Sequence, residues 1–178
     1  MIAQKWPEMN RAPIYQYSND YAQAHDELDL YWASLIANIA CKDAIETAVS
    51  AHYSGHFFDS QAAVRDVVQE FGFERTLYVL AATIKHMDWE PLFSGDNLSW
   101  AESVPISECL DTYGSDRSMD FIVDRWSPGL TNLFVSAARQ EFFLSQQHNE
   151  ISGQRPDRQK PSALKRPARK RKHQVQER

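Results

Sequence analysis

Between Ser18 and His52 the large apolar side chains recur at helical rather than alternating spacing. Leu28, Trp32, Leu35 and Ile39 lead the series, and Ile45 and Val49 continue it. A repeat near 3.6 residues lines one face of a helix. Ser18, Asn19 and Asp20 precede it with oxygens able to accept from the free amides of a first turn. The pattern is compatible with one helix or with two broken near Asp26–Asp29, and it stops between His52 and Gly55.

Asp59 predicts the N-cap of a second helix, in which Val64, Val67, Val68 and Phe71 share a face. Gly72 can end that helix at little cost, because it accepts a left-handed backbone. A third helix runs through Leu77, Leu80, Ile84 and Met87. Pro91 and Gly95 make Trp89 to Gly95 a loop, and Asp96 then caps a short helix bearing Leu98 and Trp100, closed off by Pro105. Ile106 to Ser118 reads as irregular, with a turn at Tyr113-Gly114-Ser115. Asp120 to Trp126 is predicted as a short helix or strand. Ser127-Pro128 then starts a final helix, since Ser caps and Pro is tolerated at the first helical position. That helix carries Leu130, Leu133, Phe134, Ala137, Ala138 and Phe142.

No segment alternates apolar and polar residues long enough to demand a sheet. The expected fold is all-α: a compact acidic domain of about four to six helices with a disordered basic C-terminal tail. Residues 1–17, interrupted by Pro7 and Pro13, form an irregular lead-in, residues 18–149 the helical domain and residues 150–178 the tail. Gly153, Pro156, Pro161 and Pro167 interrupt the tail, whose only large aliphatics past Ser152 are Leu164 and Val175. Such a segment buries too little apolar surface to offset the entropy of ordering it.

Charge changes the picture more than composition does. Met1 to Ile151 carries nine Lys/Arg against 22 Asp/Glu, a net of −13, whereas Ser152 to Arg178 carries ten against two, a net of +8. The overall −5 therefore hides an acidic body joined to a basic tail. An acidic body repels nucleic acid and attracts the cationic surfaces that hold it, and the tail does the reverse. The body's excess is also larger than the net charge of about 2–8 that keeps a small domain soluble. Cys41 and Cys109 match no CxxC spacing and are expected to be reduced and buried. No run approaches the ~18 apolar residues of a membrane span, and the N-terminus lacks a secretory signal pattern, so a cytoplasmic protein is expected.

The chemistry-bearing residues favour binding over catalysis. There is no GxxxxGK, GxGxxG, GxSxG or HExxH pattern, no cofactor motif and no complete metal-ligand set. His52 and His56 are spaced for one helix face, with Asp59 nearby, but Gly55 interrupts the helix between them. His25 beside Asp26 and His86 beside Asp88 lack a third partner, and an enzyme built on His52, His56 or His86 is the weakest of three functional readings. Among the aromatic side chains Trp32, Tyr78, Trp89, Trp100 and Trp126, Trp89 stands in a loop and is the candidate interface anchor. Asp26, Glu27, Asp29, Asp66, Glu70, Glu74, Asp116, Asp120 and Asp124 are the candidate acidic contacts with a cationic partner. The simpler reading, for these acids and for Asp59 and Asp111 with them, is that most keep a helix surface solvated. Arg166, Arg169, Lys170, Arg171 and Lys172 can neutralise phosphates without base specificity, making weak nucleic-acid contact through the tail.

Four stretches also carry a family resemblance. They are Tyr31-Trp32-Ala33-Ser34-Leu35-Ile36-Ala37-Asn38-Ile39-Ala40-Cys41-Lys42-Asp43-Ala44-Ile45, Glu70-Phe71-Gly72-Phe73-Glu74-Arg75, Tyr78-Val79-Leu80-Ala81 and Phe93-Ser94-Gly95-Asp96-Asn97-Leu98-Ser99-Trp100-Ala101. The chain resembles, over Tyr15 to Arg139, small proteins of unknown function encoded on conjugative elements and phages of gut Firmicutes. The resemblance leaves out the tail and brings no enzymatic activity or catalytic residue with it. What it implies is a mobile-element protein, some of whose look-alikes act as anti-CRISPRs against the type II RNA-guided nuclease. Such nucleases hold nucleic acid in positively charged channels that an acidic helical protein can contest. The expectation is a non-enzymatic nuclease inhibitor acting through its acidic surface. The alternative is a nucleic-acid-binding accessory factor of element transfer that uses the tail.

Overall fold

The computed structural model describes residues 9–106 and 120–153, which form a short 3-10 turn (Met9–Arg11) and five α-helices. They are α1 (Asn19–Ala24), α2 (Leu28–His52), α3 (Ser60–His86), α4 (Gly95–Ser103) and α5 (Pro128–Gly153). The all-α expectation holds for these residues, whose one β-type pairing is an isolated bridge between Tyr53 and Phe58.

Ser18 caps α1, its hydroxyl accepting from the Tyr21 amide at 3.0 Å. The possible break near Asp26 is real. Asp26 sits at φ 57°, a left-handed conformation that Asp tolerates better than most residues. The turn it makes sends the Glu27 amide back to the Ala22 carbonyl at 2.8 Å, and α2 starts one residue later. Asp59 caps α3 as expected, accepting from the Ala62 amide at 3.0 Å.

α2 and α3 form the central antiparallel hairpin. Leu35, Cys41, Ile45 and Val49 of α2 meet Val64, Val67, Phe71, Val79 and Leu80 of α3 in one core, against which Phe134, Val135 and Ala138 of α5 also pack. Ala33 and Ala37 are small enough to let Ala12 and Met9 lie against α2 on another side. The lead-in is thus packed from Met9 onward. Burial pushes the Cys41 thiol up to about 12, with Thr76 and Arg75 opposing the rise, so it stays a neutral thiol at ordinary pH.

Gly72 takes the positive φ expected of it (φ 80°) and is non-helical, so that two helical segments meet there in a kink within α3. A kink of this kind frees carbonyls just before it. The Arg11 guanidinium takes two of them, donating to the carbonyls of Gln69 at 2.7 Å and Glu70 at 2.9 Å. A side chain at position 72 would meet that guanidinium at 3.2 Å, which adds a steric reason for glycine there.

Three expectations are corrected. The cap of α4 is Ser94, not Asp96: Ser94 has the extended backbone of an N-cap and its Oγ accepts from the Asn97 amide, while Asp96 lies in the first turn. Residues 120–126 form neither a full helix nor a strand, because side chains rather than a ladder satisfy their amides. Val123 donates to Thr83 Oγ1 at 3.1 Å, and Asp124 and Arg125 donate to Glu46 Oε1 at 3.3 and 3.1 Å. Lastly, α5 runs past position 149 to Gly153, and Leu133 on its first turns is half exposed.

From Phe143 to Glu150 α5 is mostly exposed, and among the described residues none beyond Ala138 belongs to the packed core. A chain truncated after Gly153 should therefore keep its helical circular dichroism and melt as cooperatively as the intact chain. A large drop in either signal would make the removed residues part of the folding unit.

Candidate functional site

The candidate acidic residues fall in three stretches and do unequal work. At the α1–α2 junction Asp26 is exposed, whereas Glu27 is half buried and accepts from the Tyr15 hydroxyl at 2.6 Å. Asp29, also half buried, accepts from the Leu30 amide at 3.0 Å. Along α3, Asp66 lies 2.8 Å from His52 Nε2, Glu70 accepts from Asn10 Nδ2 at 2.6 Å, and Glu74 is exposed just past the kink. Before α5, Asp120 is exposed, and Asp124 is 73% exposed and 3.8 Å from Lys42. Asp116 lies outside the described residues, as do Arg166, Arg169, Lys170, Arg171 and Lys172.

Net charge understates how acidic this surface is. The described residues hold seven Lys/Arg against eighteen Asp/Glu, a net of −11. Most of those cations are spent on internal contacts. Arg75 is buried, Arg11 caps the kink, Lys85 donates to the Val104 carbonyl at 2.9 Å, and Arg65 lies 3.5 Å from Glu141. Lys42 sits 3.1 Å from Glu46, a carboxylate only 4% exposed. Burial alone would lower the Lys42 ammonium, but the hydrogen bond and charge of Glu46 outweigh it and raise it. The acids, by contrast, mostly point outward. Exposed positions include Asp20, Asp26, Asp43, Asp59, Asp66, Glu70, Glu74, Asp88, Glu102, Asp120 and Asp124.

The aromatic candidates separate cleanly. Tyr78 is buried and stacks on Phe121, Trp32 packs edge-on to Tyr31, and the Trp126 indole donates to the Glu46 carbonyl at 2.9 Å. Trp100 lies under the Arg139 guanidinium. Trp89 is 74% exposed in the α3–α4 loop, with Leu92 of the same loop also exposed. That loop leaves the hairpin at the C-terminal end of α3. An exposed indole on a body whose carboxylates face outward is a surface for a partner with cationic and apolar groups.

A second feature joins residues that motif searching does not single out. A cleft of about 550 Å³ opens between α4, α5 and the second half of α3, with Trp100, Arg139, Phe142 and Phe143 in its walls. At its base the buried Asn97 amide is fully engaged. Nδ2 donates to Asn132 Oδ1 at 2.8 Å and to Ser136 Oγ at 3.0 Å, and Oδ1 accepts from Arg139 Nη1 at 2.5 Å. Arg75 and Glu46 are likewise organising residues without a motif. Their signal was a charged residue on an otherwise apolar helix face, since Arg75 falls between Phe71 and Tyr78, and Glu46 beside Ile45 and Val49.

The histidine candidates do not converge. His52 pairs with Asp66, and His56 and His86 are exposed on separate elements. Among the described residues no group of three or more His, Cys, Asp or Glu side chains is placed to hold a metal ion, and no helix is long and apolar enough to cross a membrane.

A family model described as a protein of unknown function (DUF3849) matches residues 14–143. That span contains α1 to α4 and the packed part of α5, and hence both the Trp89 surface and the Asn97 cleft. No curated protein and no solved structure matches the chain.

Proposed function

The chain belongs to the DUF3849 family, whose function is unknown, and from that premise we propose that it is a non-enzymatic interaction protein that engages a cationic protein partner through its acidic surface. The observation that carries this reading is the asymmetry of charge use: the cations of the body are mostly spent internally while the carboxylates face outward. Long-range attraction from such a surface speeds encounter and sets orientation, and an exposed aromatic such as Trp89 slows dissociation. In its most concrete form the partner is a host nuclease of the type II RNA-guided class, inhibited in the cytoplasm by a protein of a mobile genetic element. The channels of such an enzyme are built to hold polyanions, and an acidic helical body competes for the same surfaces.

A cleavage assay tests the concrete form. Guide-loaded type II nuclease, incubated with the full chain before target DNA is added, should lose DNA binding and cleavage in proportion to the chain present. Undiminished cleavage at large molar excess would remove the nuclease as partner. The basic run from Lys165 to Lys172 supports a second reading, in which the tail binds DNA or RNA for element transfer. Its mark would be direct nucleic-acid binding that falls steeply with salt and disappears when Arg166, Arg169, Lys170, Arg171 and Lys172 are replaced by Ala.

A further inference from the structure

We infer that the cleft between α4 and α5 is a binding site for a monocarboxylate attached to an aromatic group, with Arg139 as the residue that takes the carboxylate. The inference is independent of the acidic-surface reading and concerns different residues.

Arg139 lines this cleft and forms no ion pair with a described acid. One of its five N–H groups goes to Asn97 Oδ1 at 2.5 Å, and no other hydrogen bond joins it to a described residue. Its guanidinium carbon lies 5.5 Å from the centre of the Trp100 ring, so the planar group is stacked as well as bonded. Asn97 cannot swing away, because Asn132 and Ser136 hold its other end. The result is a guanidinium fixed from two directions, with donors left over. An arginine held this way is pre-organised for a carboxylate, which it can meet with two parallel hydrogen bonds.

The other walls specify what carries the carboxylate. Leu77, Trp100, Phe142 and Phe143 supply apolar surface, and Phe143 remains 61% exposed. An aromatic ring placed between them would cover that surface while its acid group reached Arg139. A volume of about 550 Å³ is in the range of small-ligand pockets. The charge balance argues against a phosphate. Asp96 lines the same cleft, and the described body carries a net −11, so a single guanidinium can favour a monoanion but not a dianion. Two sources present this chemistry: a free aromatic acid, and a polypeptide ending in Phe with a free C-terminus.

The test is titration of the full chain, followed by amide chemical shifts and indole fluorescence, with 3-phenylpropanoate and with the peptide Ala-Ala-Ala-Phe. Saturable binding of either probe, localised to α4 and α5, is expected, and the tighter of the two identifies the source. The amidated peptide, 3-phenylpropanol and phenyl phosphate should each bind about tenfold more weakly or worse, because each lacks the matched monoanion. Arg139→Gln should reduce carboxylate binding by a similar factor. Should that variant melt early, Phe143→Ala, at an exposed position, provides the second reading and should weaken both probes. No saturable binding of either probe at millimolar concentration would overturn the inference. So would equal binding of the alcohol or the phosphate, or carboxylate binding unchanged in both variants.

Discussion

An Arg75→Met chain is expected to lose about 3 kcal/mol of folding stability, a fall in Tm of roughly 10 °C for a domain of this size. Arg75 is 2% exposed, yet its hydrogen bonds go to neutral acceptors: Nη1 donates to the Ser34 carbonyl at 3.1 Å and to Asn38 Oδ1, and Nη2 donates to the Ala12 carbonyl. Two effects oppose each other. Burial pushes the guanidinium pKa down, a sign that desolvation costs free energy, and removing the charge returns that cost. Against this, Met replaces the stem of Arg75 but none of its donors. It leaves Asn38 Oδ1 and the Ala12 carbonyl dry, each worth about 1 kcal/mol or more when unsatisfied, while the Ser34 carbonyl keeps its helical partner inside α2. Ala12, Ser34 and Asn38 are themselves buried, so water cannot reach the gap without opening the packing. The acceptors should win. Arg75→Lys should fall between the two, since an ammonium cannot fork to reach both α2 and the lead-in. Chemical denaturation of the three chains checks the order, and a Met variant within about 0.5 kcal/mol of the parent would contradict it.

Trp89→Ala combined with Glu74→Lys and Asp120→Lys should leave the melting curve nearly unchanged and weaken the complex with the cationic partner by about thirtyfold or more. Trp89 is 74% exposed, and the two acids lie on the outside of the body, so little folding free energy depends on them. Asp66, Glu70 and Glu27 are less suitable for reversal because His52, Asn10 and Tyr15 use them. The two kinds of change should also separate kinetically. Reversing charge slows association and flattens its salt dependence, whereas losing the indole speeds dissociation. Association kinetics at several ionic strengths would resolve them. Unchanged rates in the triple variant would remove these three positions from the interface.

What was legible in the chain was local. Ser18 and Asp59 announce helix starts through oxygens that reach amides three residues on, and Gly72 announces its positive φ by being glycine. Ser127-Pro128 marked the start of α5 for the same kind of reason. What was illegible depends on partners far along the chain. Arg75 reaches Ala12 across 63 positions, Glu46 reaches the Arg125 amide across 79, and Arg139 reaches Asn97 across 42. Each looks like a misplaced polar residue on an apolar face until the fold supplies its partner. Residues 120–126 defeated pattern reading because Glu46 and Thr83 satisfy their amides, so neither helical nor strand periodicity is required. The one exposed tryptophan that could be picked out was Trp89. Proline and glycine around it marked a loop, and a large apolar side chain in a loop has no core to enter.

Charge is different again, because it can be counted without a fold but located only with one. The −13 of the body was plain from the sequence. That Arg11, Lys42 and Lys85 are turned to internal work, and so subtract little from the acidity of the surface, was not.

The most direct test of the central claim is a three-way capture from a nuclease-treated lysate of the native host. The baits are the intact chain, a chain with Arg166, Arg169, Lys170, Arg171 and Lys172 changed to Ala, and a chain with Glu74, Asp120 and Asp124 changed to Lys. The account predicts that the first two recover the same cationic protein and that the third does not. Recovery that needs nucleic acid or the basic tail, and survives reversal of the acids, would contradict it.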